Sequence, residues 1–183
     1  MPLRFALAIA SGVLFAFAFP TYDAGLLIFI ALAPLLIALV RARSGWQAFF
    51  LGWISQATAW LLMAPWVVRV MSHYGGLPVA TGVAIFIAMS LYLGIFGAAF
   101  GAIVYRLRLG RSFPRWLFVP LAWAALEYAR TYLLTGFPWH LVATAIVDFT
   151  PMIQIDRFAG PYFVGVLIVI PSVVIAWWMT QRP

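Results

Sequence analysis

Apolar residues run along this chain in six stretches, each closed by a charge, a Pro or a Gly. They are roughly Leu3 to Phe19, Ala24 to Val40, Trp46 to Val68, Val79 to Tyr105, Trp116 to Thr135 and Pro161 to Thr180. A membrane span needs ~20 such residues, with ~17–25 usable. The pattern therefore predicts an all-α, polytopic membrane helix bundle of about six transmembrane helices. The first two stretches are at the short limit and are joined only by Pro20-Thr21-Tyr22-Asp23, which suits a helical hairpin. The fourth is long and should tilt, or emerge from the bilayer at one end. Pro65, Pro120 and Pro171 lie in or near the ends of spans, where each deletes a backbone hydrogen bond and bends its helix. Gly97 and Gly101 form a small-xxx-small pair in the fourth stretch, which lets a neighbouring helix come close. No repeat or linker interrupts residues 1–183, so a single transmembrane domain is expected.

Composition removes the other classes. The chain is 66% hydrophobic and 8% charged, with a mean hydropathy of +1.07. Soluble domains have about 45–50% apolar and about 25% charged residues. Too little polar surface remains to cover a water-soluble globule, which excludes a soluble enzyme, a disordered tail and a secreted module. The net charge is +7 and all 11 basic residues are Arg, but the apolar sequence around them argues against nucleic acid. There is no Cys, hence no disulfide, thiolate metal site or Cys nucleophile among these residues.

Arginine placement orients the chain. With six spans both termini share a side, and that side receives Arg4, Arg41, Arg43, Arg106, Arg108, Arg111, Arg115 and Arg182. The other side receives Arg69 and Arg157 with Asp23, Asp148 and Asp156. Under the positive-inside rule both termini are cytoplasmic, and the segments Arg69 to Pro78 and Gly136 to Gly160 face outward. Residues Met1 to Ala18 also fit a secretory leader, with Arg4, an apolar core and Ala16-Phe17-Ala18. The apolar stretch that follows at once favours an uncleaved first span.

Glu127 and Arg130 are the charges that fall well inside an apolar stretch. Three residues apart on a helix they share a face, and the cost of a lone charge in the bilayer predicts a buried ion pair facing the bundle. Thr135-Gly136-Phe137-Pro138-Trp139-His140 follows: Gly-x-Pro stops the helix and places Trp and His at interface depth. Leu141 to Asp148 is too short to span and too apolar for a free loop, which points to a re-entrant or interfacial segment. A second polar cluster runs from Pro65-Trp66 through Arg69 to Ser72-His73-Tyr74-Gly75-Gly76-Leu77-Pro78. No H-E-x-x-H, G-x-S-x-G or Gly-rich phosphate loop is present, and no second carboxylate is placed to work with Glu127. A Ser72, His73, His140 hydrolase would need a tertiary contact, as would heme ligation by the two histidines. No cofactor, no metal site and no catalytic residue are expected on this chain.

The order of segments resembles the N-terminal membrane region of bacterial apolipoprotein N-acyltransferases. The resemblance is carried by Phe17-Ala18-Phe19-Pro20 with Tyr22-Asp23, Leu32-Ala33-Pro34-Leu35-Leu36, and Pro65-Trp66-Val67-Val68 leading to His73-Tyr74-Gly75-Gly76-Leu77-Pro78. It is carried most specifically by Trp123 to Arg130 followed by Leu134-Thr135-Gly136-Phe137-Pro138-Trp139. The family implies a bacterial cytoplasmic (inner) membrane protein. Its helices hold an extracytoplasmic nitrilase-type domain whose Glu, Lys and Cys move an acyl chain from a phospholipid, through a thioester, to a lipoprotein amine. These 183 residues contain neither Cys nor Lys, so the catalytic residues do not carry over and the isolated chain is expected to be inactive. What carries over is a lipid and substrate platform of Trp66, Tyr74, Gly75, Gly76, Phe137, Pro138 and Trp139, beside the ion pair of Glu127 and Arg130. After Trp139 this chain has His140-Leu141-Val142-Ala143-Thr144-Ala145 where the family commonly has Gly-Tyr-Ser-Gln-like residues; His140 joins the candidate site on that position. Arg69 and Arg157 are the candidate phosphate contacts, since Arg suits bidentate phosphate recognition. The expected partners are membrane phospholipid and a protein. That protein is either a separate catalytic subunit or a larger membrane complex in which this chain is an accessory subunit without catalysis. An unrelated carrier or channel would call for inward polar residues on several spans.

Overall fold

A computed structural model describes residues 2–20, 22–110 and 112–181, with the backbone but not the side chain of Thr135. Thr21 of the first turn, Arg111 and Arg182 of the basic side, and Met1 of the leader reading lie outside the described residues. The described residues form helices and contain no strand. In order they are α1 (Pro2–Phe17), a 3-10 turn (Gly25–Leu27), α2 (Ile28–Ala31), α3 (Ala33–Val40), α4 (Gly45–Met63), α5 (Trp66–His73), α6 (Val79–Leu107), α7 (Phe113–Trp116), α8 (Phe118–Tyr132), 3-10 turns at Leu133–Thr135 and Val142–Ile146, and α9 (Thr150–Gln181).

Each break has a local cause. Pro20 cannot continue α1, which has 16 residues and is about 24 Å long at 1.5 Å per residue. The second stretch is divided at Leu32 because Pro34, in the first turn of α3, lacks the N–H that would extend α2. Ser172 of α9 satisfies the gap: its Oγ donates to the Phe29 carbonyl at 2.9 Å and accepts from Leu32 N–H at 3.2 Å. Ser11 of α1 donates to the Ala31 carbonyl at 2.6 Å. The third stretch, read above as one span, bends by 53° between α4 and α5 at Ala64-Pro65. α9 contains a non-helical Gly160 (φ 78°) followed by Pro161, so its section after that point matches the sixth expected span while Arg157 sits on a helical turn rather than in an open loop.

Packing explains why the chain is so apolar. α4 and α6 share the most extensive seam, lined by Ala48, Gly52, Gly97 and Gly101. A Cβ on Gly52 would overlap the Gly97 carbonyl oxygen, and one on Gly101 would overlap that of Ala48. α1 buries Ala8, Ser11, Gly12, Phe15 and Ala16, an i, i+3, i+4 face, with Gly12 set against Ser55 and Ala59 of α4. On the outside, Val79, Val83, Ile87, Leu91 and Ile95 make an exposed apolar ridge along α6. Such a ridge belongs in lipid rather than water. Among the described residues α6 and α9 are long and apolar enough to cross a membrane, and α4 with α5 is a third candidate if the bent pair is one span.

The bundle has two chemically different ends. Arg4 at the start of α1 donates to Gln47 Oε1 at 2.9 Å, near the start of α4. Ser44 caps α4 by accepting from Gln47 N–H, and Gly45 lies against Tyr105 at the end of α6. Arg41, Arg43, Arg106 and Arg108 are thereby gathered at that end. At the other end Asp23 and Asp148 border one shallow groove with Gly25 and Ala145.

Candidate lipid-facing site

The site is built by the way α8 ends. Leu134 (φ 48°) and Gly136 (φ 78°) take left-handed backbone conformations and turn the chain back. Phe137 N–H then donates to the Arg130 carbonyl at 2.8 Å. The returning chain closes as the 3-10 turn Val142–Ile146, which buries Val142, Ala143, Ala145 and Ile146. This is the short apolar segment that sequence marks as re-entrant or interfacial.

Glu127 and Arg130 fasten that returning chain. Both are buried, 5% and 6% exposed, and the guanidinium lies 3.8 Å from the carboxylate. Glu127 Oε1 accepts from Val142 N–H at 2.9 Å, and Arg130 Nη2 donates to the His140 carbonyl at 3.4 Å. Each charge thus meets the other and a backbone dipole of the loop, which is how buried charges are tolerated. Arg130 also lies 5.0 Å over the Trp60 ring. Phe137 and His140 both pack edge-on to Trp60, at 5.4 Å, and His140 packs edge-on to Phe19 at 5.0 Å. Burial, and then the Arg130 guanidinium, push the His140 imidazole down to about 4, so it is neutral at pH 7.

Outside this staple an open groove of about 650 Å³ is bordered by Phe19, Pro20, Met63, Trp66, Pro138, Trp139, His140, Thr144 and Val147. Trp66 and Trp139 meet across it with ring centroids 5.3 Å apart. The hydroxyl of Thr144 is committed to the Leu141 carbonyl at 2.8 Å. The walls are therefore aromatic and aliphatic, suited to an acyl chain rather than to a charged group.

Of the platform residues expected from sequence, Trp66, Pro138, Trp139 and His140 border this groove, and Phe137 turns inward onto Trp60. Tyr74 is 81% exposed and packs on His73, and Gly75 and Gly76 are exposed in the following turn. Arg69 borders a separate shallow groove of about 470 Å³ with Pro65, Val68, Ser72, His73 and Val79. Arg157 lies beside the Phe158 ring. Ser72 and His73 border a different groove from His140, so no Ser–His dyad forms with His140, and the two histidines do not face one another. His73 ends α5 rather than lying in a loop. Trp60, Met63, Thr144 and Val147 escape the sequence reading. Trp60 follows Ser55-Gln56-Ala57-Thr58 within the third stretch, and the aromatic residue itself carries no sign that it faces the core rather than lipid.

Residues 11–174 match the apolipoprotein N-acyltransferase N-terminal domain. An apolipoprotein N-acyltransferase of Geobacter metallireducens is 34% identical over 171 residues, 92% of this chain and 32% of that protein. Those of Photobacterium profundum and Rhodopirellula baltica are 28% and 32% identical, over 86% and 89% of this chain. The chain spans 32%, 30% and 29% of the length of these three relatives. The match over most of the chain, together with the helical architecture, leads to one assignment: the chain belongs to the apolipoprotein N-acyltransferase N-terminal domain family.

Proposed function

We propose that this chain is the membrane platform of a phospholipid-to-lipoprotein N-acyltransferase system in the bacterial inner membrane. It seats an acyl chain in the Trp66–Trp139 groove. The platform crosses the bilayer six times with both termini cytoplasmic, so the groove opens toward the outer leaflet. The observation that carries this reading is the aromatic groove itself, held rigid from behind by the Glu127–Arg130 staple. An acyl chain in a bilayer is already among hydrocarbon, so seating it yields no hydrophobic gain. The groove must select it by shape and by dispersion contact with fixed rings, and that needs a loop that does not move. The covalent step requires a nucleophile from elsewhere, because these 183 residues contain no Cys to carry a thioester. The partner is a nitrilase-type catalytic part working on the outer face.

The test is native mass spectrometry of the purified chain with phosphatidylethanolamine, alongside an acyl-transfer assay with a diacylated lipopeptide. Retained lipid and no turnover are expected, with retention reduced in a Trp66→Ala, Trp139→Ala double variant. Equal retention by both proteins, or acyl transfer by the isolated chain, would overturn the reading.

A further inference from the structure

Behind the groove, among the buried side chains of the bundle, lies a second cavity with about 20 Å³ of free space. A polar cavity of ~10–15 Å³ is large enough for one water and far too small for a lipid group. Its polar border comes from three places: Gln56 of α4, Trp123, Glu127 and Arg130 of α8, and His140 of the returning loop. Arg130 is engaged by Glu127 and by the His140 carbonyl, whereas each of the other four carries a buried atom without a hydrogen-bond partner: Gln56 Nε2, Trp123 Nε1, Glu127 Oε2 and His140 Nδ1. Gln56, Trp123 and Glu127 are 6%, 5% and 5% exposed. Four orphaned polar atoms around one small space call for an explanation, since a buried donor or acceptor left unmet keeps its full desolvation cost.

Their chemistry is matched in number. Gln56 Nε2 and the Trp123 indole nitrogen are donors, and Glu127 Oε2 is an acceptor. His140 is neutral at pH 7 and, with its proton on Nε2, offers Nδ1 as a second acceptor. A water molecule accepts two hydrogen bonds and donates two. A cation does not fit, because two of the four groups would turn N–H bonds toward it. Direct pairing does not replace the water either. Trp123 faces the Glu127 carboxylate, yet its N–H lies outside hydrogen-bond geometry with it.

We propose that this cavity binds one water molecule, which accepts from Gln56 and Trp123 and donates to Glu127 Oε2 and His140 Nδ1. The water joins α4, α8 and the loop that carries Trp139, so it fixes the depth at which that loop sits.

Radiolytic footprinting in heavy-oxygen water tests this on the intact chain in nanodiscs. X-rays convert a bound water to a hydroxyl radical that oxidises the nearest ring. Trp123 should be oxidised with light oxygen after brief mixing, because its water exchanges slowly. Trp116, 0% exposed and bonded through Nε1 to the Gly110 carbonyl at 3.1 Å, is the internal control and should stay unmodified. Gln56→Leu should cut the Trp123 signal severalfold. Trp123 as inert as Trp116 would overturn the proposal. So would heavy oxygen at Trp123, which would mean that bulk solvent reaches it. An undiminished signal in a folded Gln56→Leu protein would remove Gln56 from the site and with it the four-coordinate water. If that variant does not fold, the comparison of Trp123 with Trp116 in the unmodified chain still decides.

Discussion

His140 holds a left-handed backbone (φ 53°) while its ring packs edge-on against both Phe19 and Trp60. Its imidazole, ordinarily near 6.5, is lowered to about 4 by burial and by Arg130. As pH falls from 6.5 the unfolded chain binds a proton that the folded chain refuses until about 4, so His140 makes the fold less stable across that window. The melting temperature in detergent should therefore fall between those two pH values. His140→Asn tolerates the left-handed backbone and should flatten that part of the profile. Glu127 and Arg130 face the same ring, so the comparison is between the two proteins and not with a flat line. An unchanged slope in His140→Asn would show that the ring is not the titrating group. The Glu127–Arg130 staple makes a second demand. Glu127→Gln keeps an acceptor for Val142 N–H and loses only the charge pair, whereas Glu127→Ala loses both. Breaking a buried pair costs about 3–5 kcal/mol, and the alanine variant should melt lower than the glutamine one. That the two charges pair was legible from their spacing in an apolar run. Their backbone partners were not, because Val142 and His140 reach them from 15 and 10 residues away.

Helices in this bundle are positioned by what interrupts them. Pro65 marks a break that can be read directly from the sequence, because proline lacks the N–H a helix interior needs, whereas Pro34 divides a stretch read as one span. What repairs a break cannot be read so. Ser172, 140 residues beyond Leu32, is one more small residue of an apolar stretch until α9 is placed against α2 and α3. Ser172→Ala leaves the Phe29 carbonyl and the Leu32 N–H without that partner. It should lower stability by about 1–3 kcal/mol, read as a loss of melting temperature in detergent; no loss would mean that water or lipid reaches the break. The small-xxx-small pair was legible as a packing signal, but the identity of the facing helix was not. Gly52 of α4 supplies the other half, and a Cβ there meets the Gly97 carbonyl, which cannot move aside as a side chain can. Gly52→Ala should cost about 1–3 kcal/mol by overpacking. Gly110→Ala, where a new Cβ would lie 3.9 Å from the Arg108 carbonyl oxygen, its only neighbour among the described residues, should cost little and serves as its control. Equal melting of the two variants would show that the seam is not tight.

For the whole molecule, the segregation of charge is the physical basis of its orientation. The Arg4–Gln47 hydrogen bond and the packing of Gly45 on Tyr105 gather the arginines that flank α1, α3, α4 and α6 at one end. The aromatic groove and Asp23 with Asp148 lie toward the other. The translocation machinery retains arginine-rich loops on the cytoplasmic side, and on that ground the proposed orientation puts the groove outside and the arginine end inside. The chain has no native Cys, which makes single introduced thiols unambiguous reporters. The positions must be exposed for the reading to mean anything: Tyr74 is 81% exposed, and Ser112, beside Arg111, is also exposed, whereas Leu109 is buried and would stay silent on either side. Tyr74→Cys should react with an impermeant thiol reagent added to intact cells. Ser112→Cys should react only after the cells are opened. Labelling of Ser112→Cys in intact cells, with Tyr74→Cys protected, would invert the topology and turn the groove to the cytoplasm, away from any catalytic partner on the outer face.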